Sequence, residues 1–545
     1  MIPSINGSIQ CKEKHFLFPI TQLNYYNADN LPWIEDVVSV LEERLQKIET
    51  YAELKANKAE NAGHVSLIFS LVPHFSGGAY RLIIAPTYIS IEMGEEEGAA
   101  QALTTLYWKI REEKGRLSCE EITDSPRYQY RGFMMDCSRH FFPVSAVKEM
   151  IEQATLRKLN RLHWHLSDDQ GYRIESKQYP LLNTIGSWRK EPEDPHYGGY
   201  YRQEEIRDIV AYAKARGMEI IPEIDLPGHV SAMVAAYPQL SCQETPQEVP
   251  SNFGIHERIL CAGKEQTLTF VKNLLDEVCA LFPYPYFHIG GDEAPKNEWK
   301  NCPHCQEKMK QLGLKNEEAL QAWFTEELMS FLKNQGKTGI AWNETLKSGT
   351  LTEDAIIQYW AEEGADAGYC DKAFENDRKC IYSFSAYLYL DTMPALNPLR
   401  KVYGFREHVN SGKLIPQKNI LGWEGTLWAE QIPDLKRLQE MAFPRLLAIA
   451  EQSWNGTLSY TDFCKSCRQE IEYLKQDHVY SLSIEEADPH GEKQIQAVIE
   501  AWRPMVVAVK GSEKYESVIR EIICSKLKGS FEEDEIEDLK RRLFA

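Results

Sequence analysis

The sequence predicts an α/β protein: a (β/α)8 TIM barrel preceded by an α+β domain and followed by a helical region. Three observations carry that prediction. Between about residues 131 and 454, short apolar runs alternate with long helical segments, the pattern of repeated βα units. There are eight such runs, the number that closes a barrel. Polar and aromatic residues gather where each run stops, and in a parallel barrel those ends meet on one face.

Residues 1–125 make the first unit. Val65–Val72, Tyr80–Ile84 and Ile89–Ile91 are rich in β-branched residues and read as strands, while Ile34–Tyr51 and Ala99–Glu113 repeat apolar residues every three or four positions, as helices do. The expectation is a sandwich of antiparallel strands backed by two helices. The turn-rich Asp124-Ser125-Pro126-Arg127 closes it.

The barrel is expected over residues 126–460. Its strands are read at Gly132–Asp136, Arg161–Leu166, Glu219–Ile224, Tyr286–Gly290, Thr338–Trp342, Ala355–Trp360, Cys380–Phe384 and Ile420–Glu424. The strand ends carry, in order, Asp136 to Arg139, Asp168-Asp169, Asp225 to His229, Asp292-Glu293, Asn343-Glu344, Trp360 with Glu362, Tyr389 to Asp391, and Trp428 to Glu430. An open doubly wound sheet is the alternative, but it gathers ligand groups at one switch point, not after every strand.

Residues 461–545 turn helical and charged, as in Phe463–Leu474, Gln494–Trp502 and Ser517–Leu527. The closing run Glu532–Leu543 has acids first and bases last, the order a helix dipole favours. This appendage is expected to pack on the barrel or on a second copy of the chain, as a homodimer.

Charge narrows the function. With 61 Lys+Arg against 81 Asp+Glu, the net charge is −20. Such a surface repels phosphate backbones and anionic headgroups over a Debye length of about 8 Å, which argues against nucleic-acid and membrane partners. The first residues lack a basic segment followed by an apolar one, and no apolar run reaches the ~20 residues of a membrane helix, so a cytoplasmic protein is expected. The 13 Cys are odd in number and scattered, as reduced buried thiols are. Two Cys-x-x-Cys pairs, Cys302/Cys305 and Cys464/Cys467, have zinc-ligand spacing. They fall on opposite ends of the expected barrel, so free thiols and no metal or cofactor are expected.

The segment His288-Ile289-Gly290-Gly291-Asp292-Glu293 concentrates the chemistry. Successive side chains on a strand face opposite ways, so Asp292 and Glu293 share a pocket only if Gly290-Gly291 lets the backbone turn. Two carboxylates in one cavity repel, which raises one pKa and suits glycoside cleavage, where one acid protonates a departing oxygen. An Asp-Glu pair that only caps the next helix is the bland alternative. Trp342, Trp360 and Trp428 end three different strands and together suggest a box for a flat or methyl-bearing group.

These residues belong to seven motifs: Arg131–Phe141, Trp164–Gly171, Asp225–His229, His288–Glu293, Ala341–Glu344, Tyr389–Asp391 and Leu427–Glu430. In that order the sequence closely resembles the glycoside hydrolase family 20 β-N-acetylhexosaminidases, across the barrel and in the domain before it. The resemblance implies a retaining exo-enzyme that removes terminal β-linked GlcNAc, and GalNAc as a further candidate, from a glycan or glycoconjugate. It implies Glu293 as general acid and Asp292 as holder of the substrate's 2-acetamido group, whose carbonyl oxygen attacks the anomeric carbon to give an oxazolinium. It gives Tyr389 a hydrogen bond to that oxygen, and Trp342, Trp360 and Trp428 the acetamido methyl. Arg139, Asp168, Asp391 and Glu430 match binders of the sugar hydroxyls, with His229, His288 and Asp169 as neighbours or supports of the acids. Tyr387 stands two residues from Tyr389 and would face the same way on an extended segment; Tyr389 is chosen because it begins Tyr-Leu-Asp. A lacto-N-biosidase, an enzyme specific for 6-substituted GlcNAc, and a non-catalytic sugar-binding protein remain as alternatives.

Overall fold

The structure, a computed structural model, describes residues 1–545 apart from 349–350, 353, 362–367, 369, 372–373, 375–376, 409–411, 510–516, 518, 521–526, 528–529 and 545. Glu362 and most of the helix expected at Ser517–Leu527 lie outside the described residues.

The first unit holds seven strands: β1 (Ser8–Leu17), β2 (Gln22–Asn27), β3 (Lys55–Lys58), β4 (Leu67–Leu71), β5 (Tyr80–Ile84), β6 (Ile89–Met93) and β7 (Arg116–Asp124). They form one sheet in the order β1-β7-β5-β6-β4-β2-β3. The sheet is mixed, which corrects the antiparallel sandwich. Strands β1, β7, β5 and β6 pair antiparallel, while β6, β4, β2 and β3 pair parallel. The reason is α1 (Ile34–Gln46), which carries the chain from β2 across to its parallel neighbour β3. A parallel pair needs such a crossover, and apolar strand runs carry no information about direction. With α2 (Glu96–Glu112), α1 covers one face, and the alternating burial of β5 and β6 follows from that single covered face.

Buried charges fasten this sheet to the barrel. Lys158 Nζ stands 2.7 Å from Asp124 Oδ2, and the Trp454 indole donates to Asp124 Oδ1 at 3.0 Å. Glu152 is gripped from two sides, by Arg44 Nε of α1 at 3.0 Å and by Arg216 Nε of the barrel at 2.7 Å. Burial would raise the Glu152 carboxyl, but the two guanidinium groups outweigh it and hold the pKa at about 2.

Eight parallel strands then close a barrel: β8 (Tyr130–Asp136), β9 (Arg161–His165), β10 (Glu219–Glu223), β11 (Tyr286–His288), β12 (Thr338–Trp342), β13 (Ile356–Tyr359), β14 (Cys380–Tyr382) and β15 (Ile420–Leu427). Each overlaps an expected run. Their outer helices include α3 (Val144–Thr155), α4 (Gln203–Ala215), α5 (Glu265–Cys279), α6 (Glu317–Asn334), α7 (Leu399–Tyr403) and α8 (Arg445–Trp454). Between β12 and β13 the described residues form the 3-10 segment Asn343–Ser348.

Inside, a layer of Tyr130, Ile221, Ile340, Ile356 and Ile381 fills one end of the barrel. Two residues further along β10, β12 and β13, the inward positions carry Glu223, Trp342 and Gln358, so the packing turns polar toward the C-terminal ends.

The chain ends in helices α9 (Tyr460–Gln476), α10 (Gly491–Val509) and α11 (Glu533–Phe544). They rest on the barrel side: Tyr403 stacks on Phe463, and Arg400 pairs with Asp488 at 2.7 Å. Val498, Ile499 and Leu539 form a small core with Ala395 and Leu396. Among the described residues, no helix is long and apolar enough to cross a membrane.

Candidate active site

At the end of β11 the backbone turns through two left-handed glycines, Gly290 at φ +66° and Gly291 at φ +103°. A Cβ on Gly290 would lie 1.7 Å from Asp225 Oδ1, so the site requires glycine for space as well as conformation. Asp225 fixes the turn by accepting the Gly291 N–H at 3.0 Å. Beyond it, Asp292 and Glu293 both line one cavity of about 330 Å³, which Arg139, Trp360, Tyr389, Asp391, Trp428, Glu430 and Gln431 complete. Glu293 itself has φ +44°, an uncommon conformation for a side-chain-bearing residue and one that costs of order 1–3 kcal/mol.

The cavity wall has an aromatic side and a charged side. Trp360 stacks on Tyr389 with ring centroids 6.3 Å apart, and Tyr389 meets Trp428 at 6.2 Å. Trp342 stands one layer deeper: it is 1% exposed, packs 5.9 Å from Trp428, and donates its indole N–H to Glu223 at 2.9 Å. It therefore backs the box without lining the cavity. Tyr387 points elsewhere, among Phe384, Phe405 and His408. The two tyrosines diverge because Ser385–Leu388 is a helical turn, not the extended segment expected.

On the charged side, the Arg139 guanidinium lies over the Trp428 ring at 4.7 Å and pairs with Asp168 at 2.8 Å. Asp168 and Asp169 are buried behind it. His229, also at positive φ (+51°), links this pair to the acids: Nδ1 stands 3.2 Å from Asp168 and 3.3 Å from Asp169, and Nε2 stands 3.6 Å from Glu293 and 3.9 Å from Asp292. Asp169 also accepts the Ser231 N–H at 2.9 Å, which holds the segment just after His229. His288 faces away from the acids. Its Nδ1 lies 3.0 Å from the Gly290 N–H and 2.9 Å from Glu223, so it braces the strand end from which the acids depart.

Electrostatics separate these groups. Burial, then the neighbouring Asp225 and Glu293 charges, push Asp292 well above the ordinary carboxylate range, with His229 opposing. Burial likewise raises Asp225 to about 7. Glu430 is raised by burial against the pull of Arg139. Burial disfavours the His229 imidazolium, but Asp168 dominates and holds it protonated far above its usual range.

Beneath the cavity lies a network that the motifs did not assign. Glu223 is shared by His165, His163 at 3.1 Å and His288, and His163 also meets Glu424 at 2.9 Å. Burial works against the His163 imidazolium, yet Glu424 and Glu223 raise it to about 9. His165 passes the link on to Asp168 at 2.9 Å. Asp136 accepts the Ala429 N–H at 2.9 Å and so ties β8 to the Trp428–Glu430 segment. The sequence cue for Glu223 was its inward phase on β10, two residues after Ile221. Nothing marked Gln431.

Groups able to hold a metal include His163/Glu223/His288, Asp168/Asp169/His229 and Asp225/His229/Asp292. The first two consist of ion pairs just described, and the third adds Asp225, which accepts the Gly291 N–H, to the His229–Asp292 pair. A fourth is different: Cys302 and Cys305 meet Cys242 and Cys261, not Cys464 and Cys467. All four are free thiols, and their grouping was not visible from the two close-spaced pairs alone.

Residues 128–457 match the description glycosyl hydrolase family 20, catalytic domain. A β-hexosaminidase of Porphyromonas gingivalis is 40% identical over 360 residues, covering 64% of this chain and 46% of that protein. A β-hexosaminidase of Vibrio furnissii is 34% identical over 413 residues, covering 71% of this chain and 67% of that one. Among solved structures, a β-N-acetylhexosaminidase from Bacteroides fragilis superposes with TM-score 0.79 at 29% identity, covering 91% of this chain and 99% of that chain. An exo-β-N-acetylglucosaminidase from Vibrio harveyi in complex with N-acetylglucosamine superposes with TM-score 0.76 at 30% identity, covering 88% and 78%. The chain thus spans just under half the length of the Porphyromonas relative.

Proposed function

The chain belongs to glycosyl hydrolase family 20, and we propose that it is a retaining exo-β-N-acetylhexosaminidase acting on terminal β-linked GlcNAc, with GalNAc as a second substrate. The observation that carries this reading is the single cavity lined together by Asp292, Glu293, Trp360, Tyr389, Trp428, Arg139 and Glu430. The names of the Vibrio and Bacteroides relatives agree with it.

In this reading Glu293 gives its proton to the glycosidic oxygen and then takes one from water. Asp292 receives the acetamido N–H and faces the positive charge that grows as the acetamido oxygen bonds to the anomeric carbon. Its raised pKa means that the carboxyl must ionise before it takes this role. Burial and the Asp225 charge disfavour the carboxylate, a cation forming beside it favours it, and an interaction stronger in the transition state than in the ground state speeds the reaction. Tyr389 is placed to donate to the attacking oxygen. Arg139, Asp391 and Glu430 would hold the sugar hydroxyls, with Asp168, Asp169 and His229 fixing Arg139 and the acids from behind.

Assaying 4-nitrophenyl glycosides of GlcNAc, GalNAc, 6-sulfo-GlcNAc and lacto-N-biose tests the proposal. Release from GlcNAc is expected to be fastest among the four. Release from lacto-N-biose alone would replace this reading with a disaccharide-releasing enzyme, and release from none with a sugar-binding protein.

A further inference from the structure

We propose that Cys242, Cys261, Cys302 and Cys305 bind a zinc ion that pins the loop after β10 to the loop after β11, the two loops that carry His229 and Glu293. The inference stands apart from the sugar chemistry proposed above.

Geometry carries it. Cys261 Sγ lies 3.6 Å from Cys305 Sγ and 3.7 Å from Cys302 Sγ, and Cys242 Sγ lies 3.9 Å from Cys305 Sγ. All four sulfurs fall within 4.8 Å of one another. A tetrahedral zinc with Zn–S bonds of about 2.3 Å requires S···S edges of about 3.8 Å. Disulfide sulfurs would stand at about 2.05 Å, and all four cysteines are free. The sulfurs are also too close together to surround a polynuclear iron–sulfur cluster, whose thiolates sit on separate irons.

The backbone around the sulfurs is arranged to hold them there. Ser241 and Leu260 form an antiparallel bridge, and the Cys261 N–H donates to Leu240 O at 2.8 Å, which sets Cys242 and Cys261 side by side. Cys302 precedes the helix Pro303–Leu312 and Cys305 lies in its first turn, where free amides and the helix dipole favour thiolates. A Cβ on Gly263 would lie 2.2 Å from the His304 carbonyl carbon and 2.3 Å from the Cys305 nitrogen, so the two loops touch backbone to backbone. Cys261, Cys302 and Cys305 are buried, and Cys242 is half-buried.

On binding, the four thiols release four protons and donate sulfur lone pairs to Zn²⁺, with no electron transferred. Four protein ligands leave no open position, so the ion is structural and takes no part in hydrolysis. Its reach to the active site runs through Leu260, whose N–H donates to Pro227 O at 3.1 Å and whose carbonyl accepts the Trp299 indole at 2.9 Å. Pro227 stands two residues before His229, and Trp299 six after Glu293.

Elemental analysis of the purified, dialysed full chain tests this. One zinc per chain is expected, with cobalt substitution giving the intense visible bands of a tetrahedral thiolate site. The Cys302→Ser/Cys305→Ser variant is expected to lose the metal and melt at a lower temperature, while Cys464→Ser/Cys467→Ser keeps the metal. If the first variant fails to fold, zinc released from the wild-type chain by guanidinium, read with a chromogenic chelator, decides the matter. Wild-type protein grown with ample zinc yet lacking stoichiometric metal would overturn the proposal. So would a disulfide among the four cysteines in native mass analysis, or iron as the bound metal.

Discussion

Glu293 and Asp292 are chain neighbours with separate tasks in the proposed reaction, and substitutions should separate them. Glu293→Gln removes the proton donor but keeps shape, so turnover of the GlcNAc glycoside should fall by about 10²–10⁴ with an unchanged melting temperature. Asp292→Asn should cost about 10²–10³ in kcat by removing the negative charge that faces the developing cation. Equal turnover for either variant and the wild type would contradict the assigned roles. Gly290→Ala should cost both stability and activity, since its Cβ would meet Asp225 Oδ1 at 1.7 Å; a soluble variant with unaltered melting and turnover would show that the turn tolerates a side chain. Much of this was legible in the sequence because two glycines before two acids are hard to explain otherwise. Glu223 was not, since one acid inside an apolar run gives no sign that three histidines will converge on it. Nor was the depth of Trp342, because a strand-end position does not say whether an indole lines a cavity or backs it.

At the scale of elements, the contact of α1 with α3 depends on charge. The Glu152 carboxyl has a pKa near 2 in the folded protein, against about 4.3 when unfolded. Its stabilising contribution is therefore complete above about pH 4.5 and disappears as the pH falls toward 2. Glu152→Gln would leave Arg44 buried with only hydroxyl partners, while Arg216 keeps Glu43, at a cost of roughly 3–5 kcal/mol. Thermal melts between pH 2 and 7 should show a lower melting temperature for the variant at pH 7 and a shallower decline below 4.5. Parallel wild-type and variant curves would disprove the linkage. Barrel strands were legible because buried parallel strands are short and continuously apolar. The direction of the first sheet was not, because α1 sets it by reconnecting β2 to β3. The 3-10 segment after β12 escaped for a related reason: βα periodicity counts strands better than it measures connections.

Across the whole molecule, the net charge of −20 argued against polyanionic partners, and the structure shows what part of the acid excess is used. Asp168, Asp225, Glu223, Asp292 and Glu424 are buried around the histidines and Arg139 at the mouth of the barrel. The eight strand ends deliver that polar layer to one cavity, the first domain is fastened to α3, α8 and α9, and the C-terminal helices rest on α7 and the loop before it. The central claim is that this cavity makes the substrate's own acetamido group the nucleophile. It is tested most directly by comparing wild-type kcat/KM on 4-nitrophenyl β-N-acetylglucosaminide with that on 4-nitrophenyl β-glucoside. The account predicts a preference of at least about 10³-fold, the scale on which a positioned intramolecular nucleophile outperforms an external one. Equal hydrolysis of the two glycosides would contradict it.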